Sequence, residues 1–284
     1  SENFRPRPLF RIFADRQTQA NMTSGKHSPI GIIDSGMGGI SIWTEIVRAM
    51  PHEDTVYWAD TAHCPYGGRT KDEITALVSA GVENLIAQKA KIIVVACNTA
   101  TTAAIAALRE RWPDQSFVGL EPAVKPAALS TRSGTIGILG TAYTLGSDMF
   151  RRTAEKYASG IRVIATAGNG LVEQVENDRE TTPETENLLR KYIEPMLEAR
   201  ADKLVLACTH FPLLADTIRK IIGDRDMDII NPAPAVARHT AELLRERHLL
   251  TDRKSPGSHR FLSSGTETDI ERLRAKAEQY KNKR

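Results

Sequence analysis

The sequence predicts an α/β protein of two pseudo-symmetric domains, each a mainly parallel sheet flanked by helices, with a functional cleft between them. Three observations lead there. Short apolar strands alternate with helical patterns along the chain, as in parallel sheets covered by helices on both faces. PIGIIDSG at 29–36 returns as TIGILGTA at 135–142, an offset of 106 residues, and IIVVACNTA at 92–100 returns as KLVLACTHF at 203–211, an offset of 111. Chance likeness between apolar strands would not keep two strand ends at such similar offsets, so the halves share one plan.

In chain order, residues 1–28 read as a basic, poorly ordered arm with no catalytic role. Over 1–27, Arg5, Arg7, Arg11, Arg16 and Lys26 outweigh Glu2 and Asp15 by +3, which is the formal net charge of the whole chain. The body is therefore neutral, and a nucleic-acid partner is not expected. Strands follow at 30–34, 55–59, 91–96 and 116–120, each a short apolar run ending in small or polar residues. KDEITALVSAGVENLIAQK, at 71–89, has the spacing of a helix. The second half repeats the scheme with strands at 135–139, 161–165, 203–207 and 228–230, and with a helix over TPETENLLRKYIEPMLEAR at 182–200. The expected domains are 29–122 joined by 230–284, and 123–229.

No apolar run approaches the ~20 residues needed to cross a bilayer, and no signal-peptide stretch opens the sequence, so a cytoplasmic location is expected. Cys64, Cys97 and Cys208 are an odd number with no C-x-x-C pair, which supports neither a disulfide framework nor a metal site. Cys97 and Cys208 occupy matched strand ends and are read as reactive. Cys64 has no counterpart and is read as a small buried hydrophobe. Gly36-x-Gly38 after the first strand, with Asp60 after the second, suggests a dinucleotide fingerprint. Its third glycine is replaced by Ser41, and Asp34 would repel a pyrophosphate. The glycines are read instead as letting backbone N–H groups approach a substrate carboxylate.

Ligands of such folds bind at the carboxyl ends of strands, where Asp34, Cys97, Gly140 and Cys208 all fall. Asp34-Ser35, Tyr66-Gly67, Cys97-Asn98-Thr99 and Cys208-Thr209-His210 supply two thiols, a carboxylate, an imidazole and several neutral donors. This mixture suits a small zwitterion better than a nucleotide or a polymer. Helix starts expected after each cysteine would favour thiolate and bind carboxylate, whereas Asp34 would raise a nearby thiol's pKa.

DSGMGG, PYGGR, ACNTATTAA and ACTHFPLL, in this order over residues 29 to about 265, resemble the glutamate racemases. The resemblance implies a cofactor-independent enzyme that interconverts L- and D-glutamate and supplies D-glutamate for peptidoglycan. It implies that Cys97 deprotonates D-glutamate and Cys208 L-glutamate, with Asp34 assisting Cys97 and His210 assisting Cys208. A glutamate behind His210 would be Glu176, which is preferred to Glu173. Ser35, Tyr66, Gly67, Asn98, Thr99 and Thr209, together with Asp34 and His210, would contact substrate. A homodimer stays open, as does control by a cell-wall precursor, known among family members with N-terminal extensions. The alternatives are a racemase of aspartate or a related acid, and a nucleotide-dependent oxidoreductase. Aspartate racemases tend to carry Glu in place of His210 and a Gly-Gly-Met-type loop in place of Asp34-Ser35.

Overall fold

The computed structural model describes residues 25–283, so the arm expected over 1–28 lies outside the described residues apart from 25–28. Those last residues form a turn, with Ser28 N–H donating to Gly25 O at 2.9 Å, and Lys26 pairs with Asp252. The strands are β1 (Ile30–Asp34), β2 (Thr55–Ala59), β3 (Ile92–Val95), β4 (Phe117–Gly119), β5 (Thr135–Gly140), β6 (Arg162–Ala167), β7 (Lys203–Ala207), β8 (Asp228–Ile230) and β9 (His259–Ser263). The helices are α1 (Ile40–Ala49), α2 (Lys71–Ala87), α3 (Asn98–Arg111), α4 (Val124–Ser130), α5 (Ala142–Leu145) and α6 (Asp148–Tyr157). They continue with α7 (Leu171–Glu176), α8 (Pro183–Glu198), α9 (Ala215–Ile222), α10 (Ala233–Glu246) and α11 (Glu267–Asn282).

The strands form two wholly parallel sheets, ordered β4-β3-β1-β2-β9 and β6-β5-β7-β8. Reversed, the second order reads β8-β7-β5-β6, which matches β4-β3-β1-β2 strand for strand. The registers match as well. Ile30 pairs with Ile92 and Ile136 with Lys203, so the sequence offsets of 106 and 111 carry one pair onto the other. In each sheet the chain reverses its winding direction between β1 and β3, or β5 and β7. The crevice beyond the carboxyl ends at such a switch point is where open α/β sheets bind ligands.

Central strands β1, β3, β5 and β7 are buried along their whole length, which is why they read as unbroken apolar runs. Edge strands β6 and β8 are partly exposed and correspondingly mixed. The expected strands are all present. Strand β9 was not expected: His259 and Arg260 interrupt its apolar pattern, and it is held instead by Trp43, whose ring meets His259 and Phe261 edge-on with centroids 5.3 and 5.2 Å apart. Helix α2 begins with a capping box between Thr70 and Glu73, and α8 with Thr182 capping and Pro183 in its first turn.

At the amino end of β3, far from the cleft, Lys91 and Glu53 form an ion pair of 2.5 Å whose side chains are 0% and 2% exposed. Lys91 also donates to the carbonyls of Lys26 (2.7 Å) and Leu249 (2.9 Å), while Glu53 accepts from Thr251 N–H at 2.8 Å. The pair ties the first turn and the segment after α10 to the base of the first sheet. Removing one charge leaves the other buried and uncompensated, so Lys91→Met is expected to destabilise the fold by about 3–5 kcal/mol. Equilibrium denaturation in urea checks it; an unshifted midpoint contradicts this account of the pair.

Candidate active site

A cavity of about 320 Å³ opens between the carboxyl ends of the two sheets. Ser35, Tyr66, Gly67, Cys97, Asn98 and Thr99 line it from the first sheet; Thr141, Asn169, Cys208, Thr209 and His210 line it from the second. Every substrate-contact residue expected from the sequence is therefore at this cavity except Asp34, which lies beneath its floor. Both thiols are 5% exposed.

Asp34 ends β1 and is fully buried. Its Oδ2 accepts from the N–H groups of Gly39 (2.9 Å) and Gly36 (3.2 Å), and its Oδ1 accepts from the Thr209 hydroxyl at 3.2 Å. The last bond crosses between the two halves. So does the Ser41 hydroxyl, which donates to Thr209 O at 3.0 Å, and so does the Thr99–Thr141 hydroxyl pair at 2.9 Å. Thr141 corresponds to Ser35 in the internal repeat, and that alignment was the signal that could have placed it at the site.

Cys97 is the N-cap of α3, and its sulfur accepts from Ala100 N–H at 3.5 Å. Its thiol reaches the Ser35 hydroxyl at 3.8 Å. The expected helix start after Cys208 is not there. Pro212 lies in a tight 3₁₀ turn over Phe211–Leu214, closed by Phe211 N–H to Cys208 O (3.2 Å) and Leu213 N–H to His210 O (3.0 Å). Helix α9 starts only at Ala215. Only Cys97 thus has a helix amino end to favour its thiolate.

Cys208 has a side-chain partner instead. His210 Nδ1 lies 3.8 Å from Cys208 Sγ, and His210 Nε2 lies 2.6 Å from Glu176 Oε1. Glu176 ends α7 and also accepts from Met37 N–H at 2.8 Å. Arg272 of α11 donates to Glu176 O, so the C-terminal helix pins the end of α7. Glu173, one turn earlier, borders the cavity. The two thiols consequently have unlike neighbours: a carboxylate below Cys97 and an imidazole–carboxylate pair beside Cys208.

Burial, reinforced by the Asp34 charge, pushes the Cys97 thiol far above its usual value. Burial also raises the Asp34 carboxyl, against the pull of His210 and the Gly39 N–H. For His210, burial acts downward, but hydrogen bonds to Cys208, Cys64 and Glu176 outweigh it and hold the imidazole well above the usual histidine range. The Glu176 carboxyl is lowered, because the bond to His210 overcomes its own burial. Near neutral pH the His210–Glu176 pair is therefore an ion pair.

Three side chains do other work than the sequence suggested. The Tyr66 hydroxyl donates to Asp60 Oδ2 at 2.6 Å, so Tyr66 presents its ring and backbone to the cavity. Asp60 also holds His63 Nδ1 at 2.8 Å, which engages the carboxylate that a ribose would require. Cys64, read as a bland hydrophobe, lies within 4.8 Å of both the His210 ring and the Glu176 carboxylate.

The glycines of the first loop also have a different use. A Cβ on Gly36 would stand 2.0 Å from Glu176 Oε1, and one on Gly38 would stand 2.3 Å from His210 Nδ1. The N–H groups of Gly36, Met37 and Gly39 all go to protein carboxylates. The loop is bare in order to admit the His210–Glu176 pair, not to cradle a substrate carboxylate or a pyrophosphate. Asn98 remains. It is 2% exposed, lines the cavity, and among the described residues neither its side-chain nitrogen nor its oxygen has a hydrogen-bond partner. Such a pair of buried polar atoms is free to bond a group that enters the cavity.

Residues 30–240 match the family described as Asp/Glu/Hydantoin racemase. A glutamate racemase from Roseiflexus sp. (strain RS-1) is 48% identical over 229 residues, covering 81% of this chain and 84% of that one. Among solved structures, a glutamate racemase isoform from Bacillus anthracis superposes with a TM-score of 0.78 at 34% identity, covering 88% of this chain and 94% of the other. The glutamate racemase of Escherichia coli, in complex with L-glutamate and the activator UDP-MurNAc-Ala, gives 0.78 at 30% identity, with 89% and 95% covered. With two repeated halves facing one cavity and relatives of this similarity over most of its length, the chain belongs to the Asp/Glu/Hydantoin racemase family and, within it, to the glutamate racemases.

Proposed function

We propose that the cavity inverts glutamate at Cα by proton transfer between two opposed thiols, with no cofactor. The carrying observation is that Cys97 and Cys208, at the ends of repeat-related strands, both face one cavity into which the unpartnered Asn98 amide also points. In one direction the Cys97 thiolate takes the α-proton of D-glutamate, and the Cys208 thiol delivers its proton to the opposite face, leaving L-glutamate and a Cys208 thiolate. The reverse reaction exchanges the roles. Asp34 serves the Cys97 side. His210, oriented by Glu176, returns a proton to Cys208. Ser35, Tyr66, Gly67, Asn98, Thr99 and Thr209 hold the substrate.

The free site opposes charge separation: burial, and then the Asp34 charge, raise the Cys97 thiol and disfavour its thiolate. The ammonium group of an incoming amino acid brings the positive charge that makes thiolate accessible, so activation accompanies binding. This coupling favours a zwitterion over a simple carboxylic acid. The product would be D-glutamate for peptidoglycan, made in the cytoplasm; no helix among the described residues is long and apolar enough to cross a membrane.

The same reading divides the chain into 29–122 with 230–284, and 123–229. The two crossings between these parts flank a second cavity of about 580 Å³, lined by Arg109, Lys125, Arg238 and His239 among others. Arg109, Lys125 and Arg238 suit the diphosphate of a UDP-linked precursor like the one in the Escherichia coli relative, and activation by such a precursor is part of the proposal.

The test is cofactor-free racemisation by the purified protein, followed by circular dichroism in both directions. Expected are turnover of L- and D-glutamate, little with aspartate, and a higher rate when UDP-MurNAc-Ala is added. Aspartate turned over as fast as glutamate overturns the substrate assignment. An unchanged rate with the precursor, both in the full chain and after removal of residues 1–27, overturns the activator alone.

A further inference from the structure

The sulfur of Cys64 has been given no part in the reaction, yet it stands beside the His210–Glu176 pair. Three ligand types meet there: one atom each from Cys64, Glu176 and His210, all within 4.8 Å of one another. His210 Nδ1 faces Cys208, and Nε2, already beside Glu176, is the nitrogen left to take an ion. A separate cavity of about 250 Å³, lined by Cys64, Glu176, Met37, Thr61 and Arg272, reaches this cluster without passing the substrate cavity. We propose that Cys64, Glu176 and His210 form a binding site for a soft divalent cation, zinc above all, and that its occupation reversibly switches the enzyme off.

The donor set selects the ion. One thiolate, one imidazole and one carboxylate suit zinc, whereas magnesium and calcium require oxygen donors. Three protein ligands leave one position of a tetrahedral ion for water from this cavity of about 250 Å³. Zinc bonds of roughly 2.0–2.3 Å place tetrahedral donors about 3.3–3.8 Å apart. Cys64 lies within 4.8 Å of the other two donors and has only a small distance to close, and the 2.6 Å contact between His210 Nε2 and Glu176 Oε1 has to open by about 1 Å. Binding replaces the proton between imidazole and carboxylate, and a second proton leaves the Cys64 thiol; both pass to solvent. Outer contacts are in place too: Met37 N–H on Glu176 Oε1, and Cys208 near the other imidazole nitrogen.

Inhibition follows from proton accounting. An imidazole whose Nε2 is bound to zinc no longer forms the ion pair with Glu176 and cannot keep a proton in store for Cys208. Both reaction directions stop together, since each needs Cys208 once. The inference shares His210 with the two-thiol reading, but its spectroscopic test does not depend on turnover, so either idea can fail alone.

The experiment uses metal-free full-length enzyme titrated with buffered zinc, and in parallel with cobalt(II) as a spectroscopic probe. Racemisation should fall with zinc, be restored by chelator and ignore magnesium. Cys64→Ser, measured against its own zinc-free rate, should need about 10-fold more zinc or beyond for the same fractional inhibition. Cobalt should give a thiolate-to-metal charge-transfer band that survives in the Cys97→Ser/Cys208→Ser double variant and disappears in Cys64→Ser. A band that follows Cys97 and Cys208 instead, or equal zinc sensitivity in Cys64→Ser, overturns the proposal.

Discussion

Replacing Cys97 or Cys208 by serine is expected to lower racemisation by about 10²- to 10⁴-fold or more, in both directions, while glutamate still binds. The loss corresponds to about 2.7–5.5 kcal/mol of barrier. A serine hydroxyl keeps the size and hydrogen bonding of the thiol but is a far poorer base, so the variant tests the proton and not the packing. The effect must be two-sided. On the two-thiol reading each enantiomer is deprotonated by one sulfur and completed by the other, and the equilibrium constant of a mirror-image pair cannot be changed by either substitution. Steady-state rates in both directions, with glutamate binding followed by calorimetry, check this. Near-normal turnover in either variant contradicts the two-base reading, and lost binding would mean that the sulfur holds substrate rather than moving its proton.

The two variants should nevertheless differ in pH response, because the thiols have unlike surroundings. Cys97 sits above Asp34 and on the amino end of α3, whereas Cys208 has only a short 3₁₀ turn and the His210–Glu176 pair. A helix dipole can favour thiolate at one sulfur but cannot supply a proton; a raised imidazole can supply one. The pseudo-symmetry of the sheets therefore does not extend to the groups that serve the sulfurs. Asp34 and its counterpart Gly140 show the same break at a single aligned position.

How much of this was legible from the residues depends on the range of the interaction. The parallel sheets and the placing of both thiols at strand ends follow from unbroken apolar strands that end in small polar loops, a signal contained within a few residues, whereas the order of the strands is set by long-range pairing. The two offsets of the repeat were legible, and the structure turns them into matching registers, as the Ile30–Ile92 and Ile136–Lys203 pairs show. Partnerships across the fold were not. Met37 N–H finds Glu176 at a separation of 139 residues, and Cys64 approaches His210 from a distant part of the sequence. The first-loop glycines were misread for the same reason: locally they look like an anion cradle, and the bulk that requires their bareness arrives from the second sheet. Strand β9 was hidden because an edge strand needs only one buried face, and Phe261 alone supplies it.

In deuterated water, L-glutamate formed from unlabelled D-glutamate should carry deuterium at Cα from the earliest turnovers, in nearly every molecule. The proton taken from D-glutamate stays on Cys97, while the hydrogen delivered to the opposite face comes from Cys208, whose thiol has already exchanged with solvent through His210. Cys97 and Cys208 are each only 5% exposed, so the site is closed enough for the alternative to look different. One base swinging between faces would carry the original hydrogen with it and return much of it to the product. Chiral separation and mass spectrometry of the first percent or so of product, before back-reaction mixes the pools, distinguish the two. Predominantly unlabelled L-glutamate would remove Cys97 and Cys208 as opposing bases. His210→Asn sharpens the argument: without the imidazole, solvent exchange at Cys208 slows, so turnover should fall while the product that does form still carries deuterium.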